Sequence, residues 1–505
     1  MATLVRDLMS QPPITCGADA SLADAAQRMQ AAQVGSVVVT EDTKVAGILT
    51  ERDLLRAAAA RCDPSVERVH LWMTANPDVL GPDEEVAAAW TSLSGHHYRH
   101  LPVVEAGGLV GVVSIRDLIG HARIRPAEEP RAEVPKGLEG VVVASTTIGD
   151  VRGEEGFFHY HQYSAVELAE KRTFEDVWHL LFVGELPDSA SRRTFGSRTS
   201  ALRSLPPGLE TLLPLLVTRG TPLEILRTSV SLLGSELGWK ALRDVDAETV
   251  WSDALGLCAV VPTILAAAWR LRNGLEPVPS RTDLGYAANY LWMLTGVEPT
   301  PEHARAVEQY LMLTVDHGFN ASTFTARVIT STEADLAASI CGAIGALSGP
   351  LHGGAPSRAL DMLEAIGTPD RAEVWLRSAV ERGDRLMGFG HRVYKTEDPR
   401  SHFLRQVAQD LGGPLVDFAI QVEETAVRVL AELKPGHRLY TNVEFFAGVV
   451  MESCGIPREM FTPTFAISRT VGWCVHVLEQ AADNRLIRPA ARYVGPPPPQ
   501  PVPQI

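Results

Sequence analysis

Four short stretches in the C-terminal part of the chain interrupt apolar helical sequence, three of them with histidine and glycine and the fourth with the acid Glu444. They span residues 316–322, 349–355, 388–400 and 441–446. A single histidine on an apolar segment is more often a packed core residue than a catalyst. Glycines next to His352 and His391 favour a functional interpretation, because glycine lets the backbone approach a ligand closely.

Arginines and one acid accompany the histidines of these stretches. Guanidinium groups match the planar geometry of carboxylates, so Arg400 and Arg469 indicate a di- or tricarboxylate ligand. Together with the isolated acid Glu444, they predict one site for a small anionic substrate. The spacing matches no zinc motif, no G-x-S-x-G elbow and no Walker A loop, and the short glycine run at 388–390 is too weak for a dinucleotide site.

An internal repeat occupies roughly the first 120 residues. Met9 recurs as Met73 and Gly47 as Gly111, each 64 positions later. Each copy predicts an alanine-rich helix, two short strands and a second helix that starts after a threonine or serine. That hydroxyl residue and the aspartate three positions later can cap the helix. Alternatively, the hydroxyl and the helix N-terminus bind a phosphate while the aspartate binds ribose hydroxyls.

The repeat resembles a tandem pair of CBS domains, which we expect at residues 1–60 and 61–122. Both copies keep that family's adenosine-phosphate motif, G-h-h-[ST]-x-x-D. The matching positions are Gly47, Thr50, Asp53, Gly111, Ser114 and Asp117. The resemblance implies an α/β fold and regulatory binding of AMP, ADP or ATP. Many CBS pairs serve only in dimerisation, so both roles remain open at this point.

A helical body follows the repeat. Residues 123–136 are rich in proline, arginine and glutamate and predict an exposed linker, whereas the proline run in 495–505 predicts a disordered tail. Helical periodicity dominates residues 137–494, and strand candidates are confined mainly to 140–148. The sequence therefore predicts a multidomain chain, with an α/β pair followed by a mainly all-α body.

The four stretches, in this order, resemble the citrate synthase family over about residues 137–490. The segments KGLEGV at 136–141 and GELP at 184–187 add to the likeness. The resemblance implies a large helical domain, and a small domain at about 355–447 whose closure completes the site. It also implies an acyltransferase of the tricarboxylic acid cycle that works as a homodimer or higher homo-oligomer. Such an enzyme would condense acetyl-CoA with oxaloacetate in a Claisen-type step and hydrolyse the product to citrate and CoA, without a metal or cofactor.

By motif match, the resemblance assigns the chemistry to three residues. Glu444 would remove a proton from the thioester methyl group, His352 would hydrogen-bond the thioester oxygen, and His391 would protonate the ketone. The expected oxaloacetate ligands are His317, Asn320, Arg400, Arg469 and Arg488 of the partner subunit. The expected CoA ligands are Lys395, for a phosphate, and the backbone of Leu386, Met387, Gly388 and Gly390, for adenine.

Position 444 departs from the family, which has aspartate where this chain has glutamate. The extra methylene can displace the carboxylate by about 1 Å, and a misplacement of that size can cost about 10²-fold in rate. Either the backbone has adjusted so that Glu444 still reaches the proton, or the site binds without turning over. The intact His352 and His391 favour an enzyme. Two smaller departures are Gly318, where the family usually has glutamate, and the His-Gln pair at 161–162, where it commonly has Arg-Gly.

Composition restricts the partners of the chain. With 46 Lys+Arg against 61 Asp+Glu, the formal net charge of −15 argues against nucleic acid. The six cysteines form no C-x-x-C pair, the N-terminus has no signal-peptide run, and the apolar stretch 255–269 is shorter than a membrane span. We therefore expect a cytoplasmic protein that contacts no membrane.

Two alternatives to citrate synthase remain. A 2-methylcitrate synthase would accept propionyl-CoA, and one methylene in an acyl pocket changes the preference by only about 1–3 kcal/mol. The other alternative is a weakly active or inactive metabolite-binding regulator, which the glutamate at position 444 would favour. Measuring CoA thiol release from both acyl donors separates the three functions.

Overall fold

The computed structural model describes residues 4–86, 99–114, 117, 134–352, 356–391, 394, 396–436 and 439–496. The chain forms two compact units, Met1–Val143 and Ala144–Ile505. The first is an α/β unit and the second is mainly helical, so the predicted fold class is confirmed.

Two antiparallel hairpins form the centre of the first unit. β2 (Ser36–Glu41) pairs with β3 (Lys44–Thr50), and β5 (His100–Glu105) pairs with β6 (Gly108–Ser114). Both hairpins have a register shift at the equivalent place, between Val39 and Thr40 and between Val103 and Val104, as expected for repeated sequence. The remaining elements are β1 (Thr15–Gly17), α1 (Leu22–Ala32), α2 (Glu51–Ala59) and β4 (Thr74–Ala75).

Each repeat is completed by a segment from the other. Ser10, at the front of the first repeat, pairs with β6, and β4, from the second repeat, pairs with β3. Met73 lies against Gly47, where an added Cβ atom would collide with the methionine sulfur. Met9 lies against Gly111 in the same way. Dense packing thus explains the two motif glycines without any ligand.

The second unit begins with an irregular segment and a small antiparallel sheet. Its strands are β7 (Gly149–Arg152), β8 (Phe157–Tyr160) and β9 (Tyr163–Ser164). The strand predicted at 140–148 is wrong, since residues 141–146 have no regular structure and Val142 is 88% exposed. A β-branched run forms a strand only where it finds a partner, and Gly156 (φ 62°) provides the turn that pairs β7 with β8.

Sixteen α-helices lie in the described part of the second unit. They are α3 (Ala165–Lys171), α4 (Phe174–Val183), α5 (Ser189–Ala201), α6 (Pro207–Leu216), α7 (Pro222–Glu236), α8 (Ala247–Arg272), α9 (Tyr286–Thr295), α10 (Pro301–Thr314), α11 (Ala321–Thr330), α12 (Leu336–Leu347), α13 (Pro356–Ile366), α14 (Pro369–Glu381), α15 (Pro399–Leu411), α16 (Pro414–Leu433), α17 (Val443–Ser453) and α18 (Phe461–Ala482). Their apolar faces merge into one hydrophobic core.

The longest helix, α8, lies at the centre of this core, packed against α7, α9 and α18. Among the residues with described positions, it is the one helix long and apolar enough to cross a membrane, and 78% of that apolar window is buried inside the protein. Burial on all sides by other helices accounts for its apolar character.

The four stretches singled out in the sequence, three of which contain a histidine, lie where helices begin or end. Asn320 caps α11, Asp398 caps α15 and Asn442 caps α17, each by accepting a backbone N–H. His352 follows the end of α12 at Leu347 by a few residues. These caps fix the backbone at the helix ends and so set the positions of the neighbouring site residues.

Candidate active site

The loop 315–320, between α10 and α11, carries the first group of site residues. The buried hydroxyl of Tyr160 on β8 donates to the carbonyl oxygen of Asp316 (3.2 Å), which ties the loop to the small sheet. Gly318 takes a φ of 61°, a conformation that favours glycine over the glutamate expected from the resemblance. The sheet and the glycine together set the conformation of this loop.

His317 lies next to His391, with ring centroids 5.8 Å apart and planes nearly perpendicular (86°). Its Nε2 atom lies 3.0 Å from the Tyr394 hydroxyl. Burial, followed by the positive charges of Arg400 and Arg469, holds the pKa of His317 well below its ordinary value. The ring is therefore neutral and can hydrogen-bond a ligand without adding charge.

His352 contacts the first turn of α11. Its Nε2 atom accepts the backbone N–H of Ser322 (3.3 Å) and lies 2.7 Å from the hydroxyl oxygen of the same residue. The backbone N–H can only donate, so this contact places the proton of the neutral ring on Nδ1, whereas the shorter hydroxyl contact places it on Nε2 when Ser322 donates its own proton to Asn320. Burial, and then the charge of Arg469, lowers the pKa of His352 to about 4. Trp473 Nε1 donates to the Ser322 hydroxyl (3.1 Å) and holds it in place.

The Asn320 side chain connects the loop to Ser322 and hence to His352. Its Oδ1 atom accepts the Thr323 N–H (3.1 Å) and the Ser322 hydroxyl (2.7 Å). Its Nδ2 atom donates to the carbonyl oxygen of Gly318 (3.2 Å). These are contacts within the protein, so binding of oxaloacetate by Asn320 stays a prediction.

His391 and Arg400 present N–H groups to the same space. The Tyr394 backbone N–H donates to His391 Nδ1 (3.0 Å), and Arg400 Nη2, which can only donate, lies 3.3 Å from Nε2. A neutral imidazole accepts at one nitrogen only, so the shorter contact, to Nδ1, assigns the proton to Nε2. Because both nitrogens then carry protons, the pair is suited to an acceptor oxygen of a ligand.

A buried ion pair with Asp398 fixes Arg400. The Nε and Nη2 atoms of Arg400 donate to Asp398 Oδ1 (3.0 Å) and Oδ2 (2.8 Å). Burial alone would lower the pKa of Arg400, but the Asp398 carboxylate raises it above its ordinary value. Asp398 Oδ2 also accepts the N–H of Val443, the first residue of α17 (3.2 Å). Asp398 therefore connects Arg400 to the helix that carries Glu444.

A short two-strand contact fixes the start of α17, where Glu444 is the second residue. Asn442 donates its side-chain N–H to the carbonyl oxygen of Gly390 (3.0 Å) and its backbone N–H to that of Gly388 (2.8 Å). Gly388 takes a φ of 83°, and an added Cβ atom would lie 2.8 Å from the Cβ of Phe445, so the approach requires glycine. The residue after Gly390 is His391, so this histidine and Glu444 share one support.

The Glu444 carboxyl has an unusual pKa. Burial raises this pKa to about 7 against the opposing charges of Arg400 and Arg385, and Asp398 adds to the rise. Among the described residues, no side chain donates a hydrogen bond to it. A carboxylate that titrates near neutral pH and is not held by hydrogen bonds has the properties of a general base.

Arg469 on α18 contributes the second buried guanidinium group. Its Nε atom donates to the carbonyl oxygen of Thr314 (2.9 Å), and its guanidinium carbon lies 4.6 Å from the Phe465 ring centroid. Its charge lowers the pKa of both His317 and His352. The structure therefore gathers three histidines, two arginines and Glu444 from five separate segments into one charged cluster.

A cavity of about 320 Å³ adjoins His391. Its lining includes Arg385, Leu386, Gly390 and Lys434. Two of the predicted CoA residues are thus on the cavity wall, whereas Met387 and Gly388 are not among the lining residues. Sequence reasoning missed the cations Arg385 and Lys434, because an isolated basic residue outside a histidine-containing pattern carries no signal of its own.

Three further residues need a separate statement. Arg488 is exposed beyond the end of α18, and Lys395 lies outside the described residues. Asp398 was given no role from the sequence, although its position two residues before Arg400 was a signal for an ion pair. Within the described part of the chain, no group of three or more His, Cys, Asp or Glu side chains could hold a metal ion.

The two repeated motifs of the first unit have the geometry of helix caps. Asp53 Oδ2 accepts both the backbone N–H (2.9 Å) and the hydroxyl (2.7 Å) of Thr50, and Oδ1 accepts from Arg56 (2.9 Å). Asp117 Oδ2 accepts the backbone N–H of Ser114 (2.8 Å). The capping interpretation is confirmed for Thr50 and Asp53, whereas most of the segment after Ser114 lies outside the described residues. Nucleotide binding by these residues stays a prediction.

Both units match known protein families. The family model for the citrate synthase C-terminal domain matches residues 137–490, and the CBS domain model matches residues 5–60 and 66–123. A citrate synthase of Deinococcus radiodurans is 39% identical over 370 residues, which are 72% of this chain and 96% of that protein. A 2-methylcitrate synthase of Mycobacterium tuberculosis is 38% identical over 371 residues, 73% of this chain and 93% of that protein. The structure of a ternary complex of citrate synthase from Thermoplasma acidophilum with carboxymethyl coenzyme A and oxaloacetate matches with a TM-score of 0.67 and 30% identity, covering 74% of this chain and 98% of that one.

Proposed function

Because this chain belongs to the citrate synthase family, we propose that it condenses acetyl-CoA with oxaloacetate and hydrolyses the product to citrate and CoA. Family membership makes the chain an acyltransferase of the citrate synthase type, and the choice of acetyl-CoA is the proposal. The observation that carries it is the cluster of three histidines with two buried arginines and a carboxyl whose pKa is raised to about 7.

The first step is removal of a methyl proton from the thioester. Glu444 accepts this proton, and its pKa of about 7 makes it a stronger base than an ordinary carboxylate while leaving much of it ionised. With its proton on Nδ1, His352 donates this N–H to the thioester oxygen as negative charge develops there. A neutral donor suits this task, because its own proton is retained until the enolate needs it.

The second substrate is held by the arginines. Arg400 and Arg469, both buried, bind the two carboxylates of oxaloacetate, because guanidinium groups match the planar geometry of a carboxylate. The Nε2–H of His391 then points to the ketone oxygen and supplies its proton as the new carbon–carbon bond forms. His317, neutral through burial, adds a hydrogen bond to the same substrate.

The cavity beside His391 is proposed as the binding site for the CoA moiety. Arg385 and Lys434 lie on its wall, and two cations there would attract phosphate groups to a chain whose overall charge is strongly negative. Leu386 and Phe389 provide an apolar wall for adenine. The contribution of Lys395 and of the backbone at Met387 and Gly388 is carried over from the resemblance.

CoA thiol release by the purified protein, measured with acetyl-CoA and with propionyl-CoA, tests the proposal. We expect turnover that depends on oxaloacetate, with the higher kcat/KM for acetyl-CoA. Glu444→Gln should lose about 10³-fold or more in kcat while oxaloacetate binding, followed by calorimetry, is retained. Glu452→Gln, on the same helix but outside the cluster, serves as the control and should remain active.

Two results would replace the proposal. A higher kcat/KM for propionyl-CoA would make the chain a 2-methylcitrate synthase, which is the name of the 38% identical relative from Mycobacterium tuberculosis. Oxaloacetate binding without thiol release from either donor would leave a metabolite-binding regulator.

Regulation by adenine nucleotides is a separate part of the proposal. It is supported by the match of both repeats to the CBS domain model and by their two complete motifs. We expect AMP, ADP or ATP to raise the melting temperature and to change the rate of thiol release. If none of the three nucleotides alters either quantity, the first unit has no sensing role.

A further inference from the structure

One face of α18 contacts the three residues that precede His317. Arg469, Gly472 and His476 are spaced three and four residues apart, so they share that face. Arg469 donates to the carbonyl oxygen of Thr314 (2.9 Å), and His476 Nε2 lies 3.1 Å from Asp316 Oδ1. Between them, an added Cβ on Gly472 would collide with the backbone carbonyl of residue 315, so helix and loop are in direct contact.

His476 is held in a single tautomer. Arg327 Nε donates to His476 Nδ1 (3.1 Å), so the proton of the ring is on Nε2 and is donated to Asp316 Oδ1. Asp316 Oδ2 accepts the Gly318 N–H (3.1 Å). Burial would raise the pKa of Asp316, but His476, Arg469 and the Gly318 N–H together bring it below its ordinary value. The carboxylate is thus an anion with both oxygens occupied.

The same network reaches the other end of the loop through Arg327. The guanidinium carbon of Arg327 lies 4.9 Å from the centroid of the Phe319 ring, and that ring makes an edge contact with His476 at 5.6 Å. Arg327 is held in turn by Gln480 (3.2 Å) and by an ion pair with Glu479. Both Asp316 and Phe319, which enclose His317 and Gly318, are therefore attached to one buried group of side chains.

We propose that His476 is a positioning residue for the oxaloacetate site, which fixes the 316–320 loop through Asp316 and Phe319 and so sets where His317 lies. The inference rests on the proposed function, because it assigns oxaloacetate to His317. Apolar side chains could pack α18 against the loop at lower desolvation cost. A hydrogen-bonded group instead selects one arrangement of the loop, which is what a substrate ligand requires.

His476→Leu tests the proposal, because leucine fills similar space and removes both hydrogen bonds. Asp316 then loses its buried donor and the loop must move to find another. We expect the KM for oxaloacetate to rise by about 10- to 100-fold while the KM for acetyl-CoA changes by less than about twofold. His476→Gln retains an amide donor for Asp316 and should restore part of the loss.

Two further variants separate positioning from simple destabilisation. Val477→Ala creates a cavity at the next buried position of α18, so it should lower the melting temperature and leave the KM for oxaloacetate unchanged. Glu479→Gln weakens the anchor of Arg327 at the partly exposed end of the network and should raise that KM by a few fold. If His476→Leu does not fold, the KM of Glu479→Gln for oxaloacetate tests the proposal in its place.

The outcomes distinguish this inference from the proposed function. An active wild-type protein with an unchanged oxaloacetate KM in His476→Leu or, where that variant does not fold, in Glu479→Gln overturns the positioning role alone. If the wild type releases no thiol, the proposed function fails, and calorimetric titration with oxaloacetate decides the inference. Weaker binding in the variant than in the wild type supports it, and equal binding, or none in either protein, overturns it.

Discussion

At the scale of the residue, the rate should follow the ionisation of Glu444. Only the carboxylate can accept the methyl proton, and burial raises its pKa to about 7. We therefore expect kcat/KM for acetyl-CoA to fall as the pH drops below about 7, by one log unit per pH unit. A pH profile of the free enzyme measures this, and an acidic limb near pH 4.5 would contradict the buried, unpaired environment of this carboxyl.

A shorter side chain at position 444 gives a second test of the same residue. Glu444→Asp restores the residue expected from the family but draws the carboxylate back by one methylene. If the backbone around α17 is arranged for glutamate, the variant should lose about 10²-fold in kcat. A gain in kcat would mean instead that glutamate impairs this site.

Ionisation of Glu444 should also reduce stability. Its pKa is raised in the folded state, from 4.5 to about 7, so the folded protein binds this proton more tightly than the unfolded chain. Stability is full below the unfolded pKa and is lost as the pH rises through the folded pKa, by at most about 3 kcal/mol. Glu444→Gln should therefore be more stable than the wild type at pH 8 and nearly equal to it at pH 4.5. Urea unfolding at both pH values checks the sign, and a less stable variant at pH 8 would contradict it.

At the scale of the element, two helix glycines should respond to alanine in opposite ways. Gly472→Ala places a Cβ atom against the backbone carbonyl of residue 315, so α18 or the loop must shift, at a cost of about 1–3 kcal/mol in the free energy of unfolding. Gly256 lies in α8 with no atom within 4 Å of an added Cβ, and alanine there should stabilise the helix by up to about 1 kcal/mol. Denaturant unfolding of the two variants compares them directly, and equal effects would mean that α18 does not touch the loop.

The helices and strands also show which parts of the fold could be predicted from the sequence. Apolar periodicity predicted the helical body, and the Thr50–Asp53 spacing predicted a helix cap, because both signals lie within a few residues. The strand at 140–148 was wrong, since a strand needs a partner that local sequence does not specify. The contacts of Arg327 with His476 and Glu479 join residues about 150 positions apart, and no local pattern could predict them.

For the site, residue chemistry was the better guide than spacing. His317, His391 and Arg400 come together in the structure, and His352 is within the influence of Arg469. The sequence had grouped these histidines and arginines as one anionic-substrate site, and the resemblance had assigned their individual roles. What the sequence could not provide was their protonation. The tautomers of His352 and His391 depend on which backbone N–H lies against which ring nitrogen, and that is known only from the fold.

At the scale of the whole molecule, the resemblance implies that the site takes a residue from a second subunit. Arg488 is exposed beyond the end of α18. The cluster around Glu444 already contains two buried arginines of the same chain, Arg400 and Arg469. The resemblance gives the third carboxylate ligand as Arg488 of the partner subunit. Each active site would then combine Glu444 of one chain with the arginine of the other, and two inactive variants could complement each other.

Mixing Glu444→Gln with Arg488→Ala tests this arrangement. In a mixed dimer one site carries both substitutions and the other carries neither, so random exchange of subunits should restore about a quarter of the wild-type activity. A mixture of Glu444→Gln with His352→Ala is the matched control, because both residues would serve the site of their own chain and no intact site can form. Recovery in the first mixture and not in the second, measured as thiol release after co-expression, requires a site shared between subunits. If neither mixture recovers activity, although light scattering shows that the proteins form dimers, the whole site lies within one chain.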